Sequence, residues 1–297
     1  MQDLNTKKHP LVSVNLVVHN HGPWLTRALD SIKTQSYENI EINQFDGTTD
    51  NIGFWAGQEK LLAQSKGEYI ICMSDVVLDK NFIKNAVEVL EKDMGIGALQ
   101  AKILQSNGMI DTTGFEKYKS RKIINRGKQT NNEYPEGEIF AVEGAVPVFR
   151  KKALEDCIVD GHLIDPDFRI GPLGYGDDLD LTWRMKNLGW KQWYAPGVIA
   201  YHDRSTSGPR ASIPILKRQL DWCNVRFAII KNDAILSLVK DAPFWFVREI
   251  AVFCYTILFE PKVFAIMPRF FTLLPCMLSR RKLNMNRTRS FVPAHQS

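Results

Sequence analysis

Cysteines are few, and their spacing matches no metal-binding or disulfide motif. The five are scattered along the chain, without a CxxC or CxxH pair, at Cys72, Cys157, Cys223, Cys254 and Cys276. An odd, dispersed set argues against both a zinc site and a disulfide framework, and it favours a reducing compartment. The sequence also lacks GxSxG, Walker and HExxH motifs, which removes the commonest serine-hydrolase, P-loop and zinc-protease interpretations.

Acidic residues are absent after Glu260, although the chain as a whole is nearly balanced in charge. Its formal net charge is +5. This is too small a charge to indicate nucleic-acid binding, and we predict no nucleic-acid partner. The cations that follow Glu260 are Lys262, Arg269, Arg280, Arg281, Lys282, Arg287 and Arg289. The C-terminal part is therefore predicted to carry a basic tail.

Uninterrupted runs of about 20 apolar residues are also absent, so a membrane-spanning helix is not expected. Phe244 to Phe259 contains Arg248 and Glu249, and Val263 to Leu278 contains Arg269 and two prolines. Apolar helices followed by cations suit a segment that lies in the membrane interface beside anionic lipid. The alternative is that these helices pack on the rest of the protein and that the tail is solvated.

What remains is the composition of a folded protein, with 44% hydrophobic and 24% charged residues. An apolar run rich in β-branched residues predicts a buried strand over Leu11–Val18, and further strands are predicted over Ile40–Phe45 and Glu68–Met73. Helical spacing of apolar residues predicts a helix after each of the first two strands. This alternation indicates an α/β fold with an open, mostly parallel sheet. Such sheets bind ligands beyond the carboxyl ends of the strands, here at residues 18–22, 46–50 and 74–76.

Further elements follow along the chain. Helices are predicted over Asn81–Lys92 and Gly176–Gly189, a strand over Ile96–Leu104, and one or two strands over Trp190–Tyr201. The polar residues 105–137 predict a hairpin or a loop. From about Pro214 onward, long helices are expected.

Four acids and one histidine stand where chemistry is expected. Asp75 follows the third predicted strand, where a carboxylate can hold a hard divalent cation, although an ordinary loop acid is the simpler explanation. Asp177, Asp178 and Asp180 crowd a helix start. Capping and the helix dipole account for some of them, but their mutual repulsion indicates that one faces a ligand. His202 ends the last predicted strand, either as an ordinary surface or core residue or as a metal ligand.

Six short segments follow one another in a set order. They are Val18-His19-Asn20, the turn Phe45–Asp50, Asn51-Ile52-Gly53-Phe54, Met73-Ser74-Asp75, Asp177–Arg184 (DDLDLTWR) and Pro196–His202. In order and spacing they resemble the family 2 glycosyltransferases, particularly bacterial rhamnosyltransferase-like and galactofuranosyltransferase-like enzymes of surface polysaccharide synthesis. The resemblance covers about residues 11 to 205.

The resemblance implies the GT-A fold of nucleotide-diphospho-sugar transferases, in which a mixed, mostly parallel sheet is flanked by helices, here followed by a C-terminal helical extension. We expect a leader at 1–10, a catalytic domain at 11–212, and a helical, basic, membrane-interface extension at 213–297. No apolar signal-type run follows the polar N-terminus, so we predict a cytoplasmic protein associated with the inner face of the cell membrane.

The resemblance also implies a reaction, the inverting transfer of a sugar from a nucleotide-diphosphate donor, dTDP- or UDP-linked, to a hydroxyl of a glycan or lipid-linked acceptor. Donor contacts are expected from Val18, Asn20, Asp46, Asn51, Gly53, Phe54, Ser74 and Asp75. Acceptor contacts are expected from Gly174, Tyr175 and Gly176. Mg²⁺ or Mn²⁺ would be held by Asp75 and His202. Asp178 is predicted to be the general base and Asp177 to orient the acceptor or the base, whereas Asp180 and Arg184 would form a structural pair.

One departure from the family pattern keeps alternatives open. Met73 stands where the family usually has the first acid of its metal-binding pair, and a thioether is a poor ligand for a hard cation. This favours a second hypothesis, a non-catalytic relative that acts as a binding or assembly subunit. An active enzyme is favoured by the presence of Asp178, Asp180, Arg184 and His202. A third hypothesis, a nucleotidyltransferase, requires a Gly-rich loop with a cation after the first strand, and His19 to Trp24 contains no cation.

Overall fold

A computed structural model describes residues 9–202 and 212–290 of the chain. The strands are β1 (Val12–Val18), β2 (Ile40–Asp46), β3 (Tyr69–Met73), β4 (Val77–Leu78), β5 (Ile96–Leu104), β6 (Ile110–Thr112), β7 (Phe115–Lys117), β8 (Ile123–Asn125), β9 (Gly137–Glu138), β10 (Val148–Arg150), β11 (Arg169–Ile170), β12 (Leu173–Gly174) and β13 (Lys191–Tyr201). The helices are α1 (Pro23–Lys33), α2 (Phe54–Leu62), α3 (Phe82–Lys92), α4 (Lys151–Asp156), α5 (Asp177–Asn187), α6 (Ile215–Asn232), α7 (Ile235–Lys240), α8 (Ala242–Phe259) and α9 (Met267–Ser290). Two 3₁₀ turns cover Pro166–Phe168 and Pro261–Ile266.

One mixed, mostly parallel sheet forms the centre of the molecule. Its strand order is β2-β1-β3-β10-β5-β13-β4, with β6 paired to β5 and β9 to β13. Strands β1, β2 and β3 are parallel, and β13 is parallel to β5. Because β10 runs antiparallel to both β3 and β5, these two strands point the same way. The ends of β1, β2, β3, β5 and β13 therefore lie at one edge of the sheet, which we call the carboxyl edge.

Helices cover both faces of this sheet. Tyr69, Ile71 and Met73 of β3 belong to the apolar cluster that contains α1 and α3, whereas the intervening Ile70 and Cys72 belong to the cluster of α2, α4 and α5. Burial on both sides explains why β3 is apolar at every position. Strand β1 is also fully buried, and its two polar residues, Ser13 and Asn15, form side-chain hydrogen bonds.

The α/β class and the mostly parallel sheet predicted from the sequence are confirmed, and the three N-terminal strands lie within one residue of their predicted bounds. The last strand is a single long one, whose pairing with β5 is interrupted between Ala195 and Ile199. Pro196 lies in this interruption. Proline has no backbone N–H and therefore cannot donate a hydrogen bond to a neighbouring strand. Residues 105–137 contain the short strands β6, β7 and β8.

Helices α6 and α9 pack on the rest of the protein, and several cations of α9 are bound to it, so the alternative of a merely solvated tail does not describe α9. Helix α6 packs against α5 and α9, in an apolar cluster that includes Trp183, Phe227 and Met277. The guanidinium groups of four C-terminal arginines donate to carbonyls or carboxylates elsewhere in the protein: Arg269, Arg280, Arg281 and Arg287. Arg269, Arg280 and Arg287 tie α9 to residues 156–169, and Arg281 ties it to the end of α6.

Two helical stretches are long and apolar enough to cross a membrane, judged by length and composition alone. They are Ala242–Phe259, with a mean hydropathy of 1.4, and Pro261–Thr288, which contains an 18-residue window with a mean hydropathy of 1.3. The sequence prediction had discounted both stretches because charges and prolines interrupt them. Most of the predicted leader and residues 291–297 of the predicted extension lie outside the described residues, and the three region boundaries stay predictions.

Candidate functional site

Segments that follow three adjacent parallel strands meet at the carboxyl edge. Val18, the last residue of β1, lies beside Asp46, the last residue of β2, and the backbone N–H of Gly47 donates to the Val18 carbonyl at 2.8 Å. Strand β3 pairs with the other side of β1, so Ser74 and Asp75 leave the sheet next to it. Four of the predicted donor residues therefore lie along one edge.

The side chains of Asn20 and Asp46 are fixed by local hydrogen bonds. Asn20 Oδ1 accepts from Trp24 Nε1 at 2.6 Å. Asp46 Oδ1 accepts from the Thr48 backbone N–H at 2.9 Å, and its Oδ2 lies 3.2 Å from His21 Nε2. The hydrogen bonds from Thr48 lower the pKa of Asp46, which keeps this exposed carboxylate charged. An exposed, oriented acceptor of this kind can receive hydroxyl or N–H donors of a ligand.

The segment after β2 touches the segment that precedes α5. Asn51 Oδ1 accepts from the Gly53 N–H at 3.0 Å, and Gly53 has a φ of +89°. A Cβ at Gly53 would lie 2.2 Å from the Pro172 carbonyl oxygen, so only glycine permits this approach. Arg169 Nη1 donates to the Ile52 carbonyl at 3.3 Å. The predicted donor and acceptor segments are therefore in direct contact.

Among the predicted donor residues, Phe54 is half-buried and Ser74 is buried. Phe54 begins α2, and its ring meets Trp55 edge to face at 5.3 Å. Ser74 is buried, and its Oγ has no hydrogen-bond partner among the residues that the structure describes. A buried hydroxyl without a partner is uncommon, and this one stands next to Asp75, where a ligand could satisfy it.

Asp75 and His202 approach each other at the carboxyl edge. His202 Nε2 lies 3.6 Å from Asp75 Oδ1, and His202 Nδ1 lies 3.3 Å from Asp111 Oδ2. Burial raises the pKa of Asp75, but the hydrogen bond and charge of His202 outweigh it, so the pKa lies below the ordinary value.

The Asp75–His202 pair fits a divalent cation. Two ligand atoms that each lie about 2.1 Å from one ion can be no more than about 4.2 Å apart, and the observed 3.6 Å is within this limit. Within residues 9–202 and 212–290, no cluster of three His, Cys, Asp or Glu side chains forms a complete metal site. A cation here would therefore take further ligands from a bound diphosphate and from water.

Asp177 and Asp178 start α5 in different surroundings. Asp178 is half-buried, and its Oδ2 accepts from the Gly144 N–H at 2.8 Å. Asp177 is 4% exposed, and its Oδ1 has no hydrogen-bond partner in the described part of the chain. Burial, followed by the charge of Asp178, raises the pKa of Asp177 well above its ordinary value. A Cβ at Gly174 would lie 2.1 Å from Asp177 Oδ2, so glycine is required beside this carboxyl group.

The sheet topology brings Asp75, Asp178 and His202 to the same edge. Asp178 is bound by Gly144, which precedes β10, and β10 lies between β3 and β5. Asp75 follows β3, and the His202 N–H donates to the carbonyl of Leu104, the last residue of β5, at 2.8 Å. The three side chains therefore belong to three neighbouring positions along the carboxyl edge, although they are far apart in sequence.

The predicted acceptor residues end a loop that the C-terminal helices hold in place. Asn224 of α6 is fully buried, and its Nδ2 donates to the carbonyls of Phe168 and Tyr175 at 2.7 and 2.8 Å. Arg269 of α9 donates to two further carbonyls of the same loop at 2.9 and 3.0 Å. Gly176, with a φ of +74°, ends the loop at the N-terminus of α5. The helical segment therefore shapes one wall of the site.

Residues 59–221, more than half of the chain, match the family described as Glycosyltransferase like family 2. The chain belongs to this family. The matched region runs from α2 to α6 and contains Asp75, Asp177, Asp178 and His202. Family membership, which the order of the short motifs predicted, is thereby confirmed.

Curated relatives are longer than this chain. N-acetylglucosaminyltransferases from Azorhizobium caulinodans and from Rhizobium sp. strain N33 are both 24% identical to it, over 203 and 257 residues, or 67% and 77% of the chain. The matches cover 46% and 54% of those proteins. The chain thus spans about half the length of the curated relatives it matches.

Two solved structures share the fold. A crystal structure of GalNAc-T7 with UDP, GalNAc and Mn²⁺ has a TM-score of 0.54 and 15% identity, and covers 84% of this chain and 58% of its own. The mannosyltransferase PcManGT from Pyrobaculum calidifontis, in complex with GDP-Man and Mn²⁺, has a TM-score of 0.54 and 14% identity, and covers 94% and 86%. At these identities the likeness establishes the fold, and the predicted GT-A fold is confirmed.

The third acid of the DDLD motif is structural in this family 2 protein. Asp180 Oδ2 lies 3.3 Å from Arg184 Nη2, the pair predicted from their spacing, and 2.8 Å from Lys231 Nζ of α6. Lys231 also lies 2.7 Å from Asp165 Oδ2. All four side chains are buried. Burial raises the pKa of Asp180, but the charges of Lys231 and Arg184 outweigh it and lower the pKa below the ordinary value.

Met73 belongs to the apolar core. It is fully buried, in the cluster that lies beneath α1 and α3. The first position of the family's metal-binding pair is therefore filled by a packing residue, and the carboxylate at Asp75 is the one this segment offers to a cation.

Three residues that the sequence did not single out take part in the site: Asp111, Gly144 and Asn224. Asp111 contacts His202, Gly144 holds Asp178, and Asn224 holds the acceptor loop. No local sequence pattern identifies these three residues, because each contacts a partner at least 34 residues away in the chain.

Proposed function

We propose that this chain transfers a sugar from a nucleotide-diphosphate donor to an acceptor hydroxyl, with inversion of configuration. The observation that carries this proposal is the alignment of Asp75, His202 and Asp178 along one sheet edge, beside the contact between the donor and acceptor segments. Family membership and the nucleotide sugars and Mn²⁺ named for the two solved structures support it. UDP- and dTDP-linked donors are our preferred candidates.

In this mechanism, Val18, Asn20 and Asp46 receive the nucleoside, and Asp75 lies at the diphosphate. Asp75 and His202 would hold Mg²⁺ or Mn²⁺, which would supply positive charge to the diphosphate leaving group. Asp178 accepts the proton of the acceptor hydroxyl while that oxygen attacks the anomeric carbon. The bond from this carbon to the diphosphate oxygen breaks on the opposite face, so the configuration inverts. Asp177, whose burial raises its pKa well above the ordinary value, orients the acceptor or the base.

Donor binding tests the proposal directly. We expect UDP- or dTDP-linked sugars with Mn²⁺ to raise the melting temperature of the full chain by about 5–10 °C at 100 times the dissociation constant, because a ligand that binds the folded state stabilises it by about 2.7 kcal/mol there. At the same concentrations, GDP- and CMP-linked compounds should give smaller shifts. Asp75→Asn should remove the Mn²⁺-dependent part of the shift, and Asp30→Asn on the exposed side of α1 should leave it intact. Absence of a shift with every nucleotide sugar would contradict the proposal.

A second candidate function is that of a non-catalytic binding or assembly subunit, which the apolar Met73 favours. It predicts the same donor-induced stabilisation without turnover. Release of nucleotide from the stabilising donor, followed in the presence of Mn²⁺, separates the two functions, because only the enzyme cleaves the bond between the sugar and the diphosphate.

We also propose that the helices α7 and α8 contact a membrane surface and that the acceptor is a glycan carried on lipid, used at the cytoplasmic face in surface polysaccharide synthesis. Twelve apolar side chains of these helices are exposed: Ile235, Leu236, Val239, Phe244, Phe246, Val247, Ile250, Phe253, Tyr255, Ile257, Leu258 and Phe259. We call this set the α7–α8 apolar surface. Continuous apolar area of this extent is rare on monomeric proteins in water.

Charged groups around the α7–α8 apolar surface are arranged as a membrane interface requires. Asp241 lies 2.6 Å from Arg121, and Glu249 lies 2.6 Å from Arg226, so both acids are neutralised by protein cations. Lys240 at the end of α7 is exposed. Thr256 is the buried residue of α8, and the Phe253 ring contacts Phe264 of the neighbouring 3₁₀ turn.

The membrane proposal is tested by flotation with vesicles that contain anionic lipid. We expect the triple variant Phe246→Glu, Ile250→Glu and Leu258→Glu to partition about 10³-fold more weakly than the unmodified chain, because each lost apolar side chain removes about 1.5 kcal/mol of burial and adds a charge. A matched triple variant at exposed apolar sites elsewhere, Met94→Glu, Met109→Glu and Ile158→Glu, should float normally. Equal flotation of both variants, or association into dimers without lipid, would contradict the proposal.

A further inference from the structure

Asp111 owes its position to an irregularity in the sheet. Strand β6 pairs antiparallel with the end of β5, where Thr112 lies opposite Ile103 and Ile110 lies opposite Leu104. One step along β5 therefore corresponds to two steps along β6, and Asp111 is the additional residue of a β-bulge. Bulges occur next to active sites because the extra residue redirects its side chain away from the regular alternation.

The bulge brings the Asp111 carboxylate to the inner nitrogen of His202. The Asp111 Oδ2 lies 3.3 Å from His202 Nδ1, and on the other side of the ring His202 Nε2 lies 3.6 Å from Asp75 Oδ1. Asp111 is fully buried, His202 is largely buried, and the side chain of Asp75 is 52% exposed. The three groups therefore form a line from the interior to the carboxyl edge.

We propose that Asp111 is a positioning residue that fixes the ring orientation and tautomer of His202, so that Nε2 is available to the cation at Asp75. The inference rests on the metal site of the proposed function. A carboxylate at Nδ1 accepts the N–H of that nitrogen, and in a neutral imidazole the other nitrogen then carries the lone pair. Ligating histidines are commonly held in this way, which orients the ring and increases the basicity of the ligand nitrogen.

This arrangement compensates for the single carboxylate of the site. With Met73 in the core, the protein contributes one carboxylate oxygen and one imidazole nitrogen to a cation. A ligand set of two tolerates little misplacement, because no group of three His, Cys, Asp or Glu side chains among residues 9–202 and 212–290 would retain the ion if the ring turned away. A buried acid behind the ring therefore has a larger effect here than in a site with more ligands.

Binding of Mn²⁺ by the full chain, measured by the loss of the free-ion electron paramagnetic resonance signal with and without UDP, tests the inference without turnover. We expect Asp111→Asn to weaken Mn²⁺ binding about 10- to 100-fold, and Asp111→Leu to weaken it further, because leucine removes the acceptor entirely. Asp30→Asn should bind Mn²⁺ like the unmodified chain. Circular dichroism of each variant establishes that it is folded.

A second measurement needs no variant. In ¹⁵N-labelled protein, at a pH where the ring is neutral, we expect the two-bond proton–nitrogen pattern of His202 to show hydrogen on Nδ1. Hydrogen on Nε2 in the unmodified chain, or equal Mn²⁺ affinity in folded Asp111→Asn, would overturn the role of Asp111 while leaving the metal site intact. If the unmodified chain bound no Mn²⁺ with UDP, the metal site of the proposed function would itself be wrong.

Discussion

Replacement of Asp178 by asparagine should lower the turnover of sugar transfer by about 10²- to 10⁴-fold and leave donor affinity nearly unchanged. The expected loss is that of a general base, since the amide cannot accept the proton of the acceptor hydroxyl. Donor affinity should persist because Asp178 is held by the Gly144 N–H on the α5 side of the site, whereas the predicted donor contacts follow β1, β2 and β3.

Asp177→Asn is the matched control for this experiment. The two acids are adjacent, but burial and the charge of Asp178 raise the pKa of Asp177 and favour its neutral form, which asparagine imitates in size and polarity. We therefore expect Asp177→Asn to retain turnover within about 10-fold of the unmodified chain, well short of the effect at a general base. Steady-state rates with saturating donor, together with donor affinity from thermal shift, give both quantities. Near-normal turnover of Asp178→Asn, or a larger loss in Asp177→Asn, would contradict the assignment of the base.

The local sequence patterns predicted the parts of the site that depend on strand ends. Val18 and Asp46 end β1 and β2, and Asp75 follows β3, so parallel pairing of these strands is enough to bring the three residues to one edge. The spacing of Asp180 and Arg184 predicted their ion pair for a similarly local reason, since residues four apart face the same side of a helix.

The contacts that sequence reasoning missed depend on partners that are distant along the chain. Asp111 contacts His202 because it is the extra residue of a bulge. The pattern of apolar and polar residues in the sequence does not predict where such an extra residue occurs. The arginines of α9 appeared to form a basic tail because their acceptors lie more than 40 residues away. Arg280, for example, lies 2.6 Å from Asp165. Charge counting cannot distinguish a cation in water from one with a buried partner.

The same network supports the second large prediction, which concerns stability. Replacement of Lys231 by methionine should lower the free energy of unfolding by about 3–5 kcal/mol, because it leaves two buried carboxylates without the cation that they share. Lys231 Nζ lies 2.7 Å from Asp165 and 2.8 Å from Asp180, and all three side chains are at most 4% exposed. For a chain of this size, the corresponding fall in melting temperature is about 10 °C.

Lys186→Met on α5 provides the control. Lys186 pairs with Glu138, and both side chains are at least one-third exposed. Water and side-chain entropy reduce the value of such a pair, so we expect a change of no more than about 1 kcal/mol. Urea unfolding of both variants gives the comparison. Equal stability of Lys231→Met and the unmodified chain would show that the carboxylates are satisfied without this lysine.

The difference in unfolding free energy between the unmodified chain and Lys231→Met should also depend on pH. In the unmodified chain, Lys231 and Arg184 hold the pKa of Asp180 below its ordinary value, so its ionised form stabilises the fold above about pH 4, and this contribution is lost as the pH falls through the lowered pKa. Without Lys231, burial instead favours protonation of the carboxylates. The stability difference between the two chains should therefore be largest at neutral pH and should narrow as the pH falls below about 4. Because α5 also carries Asp178, partial unfolding of this network in Lys231→Met should remove transferase activity at a lower temperature than in the unmodified chain.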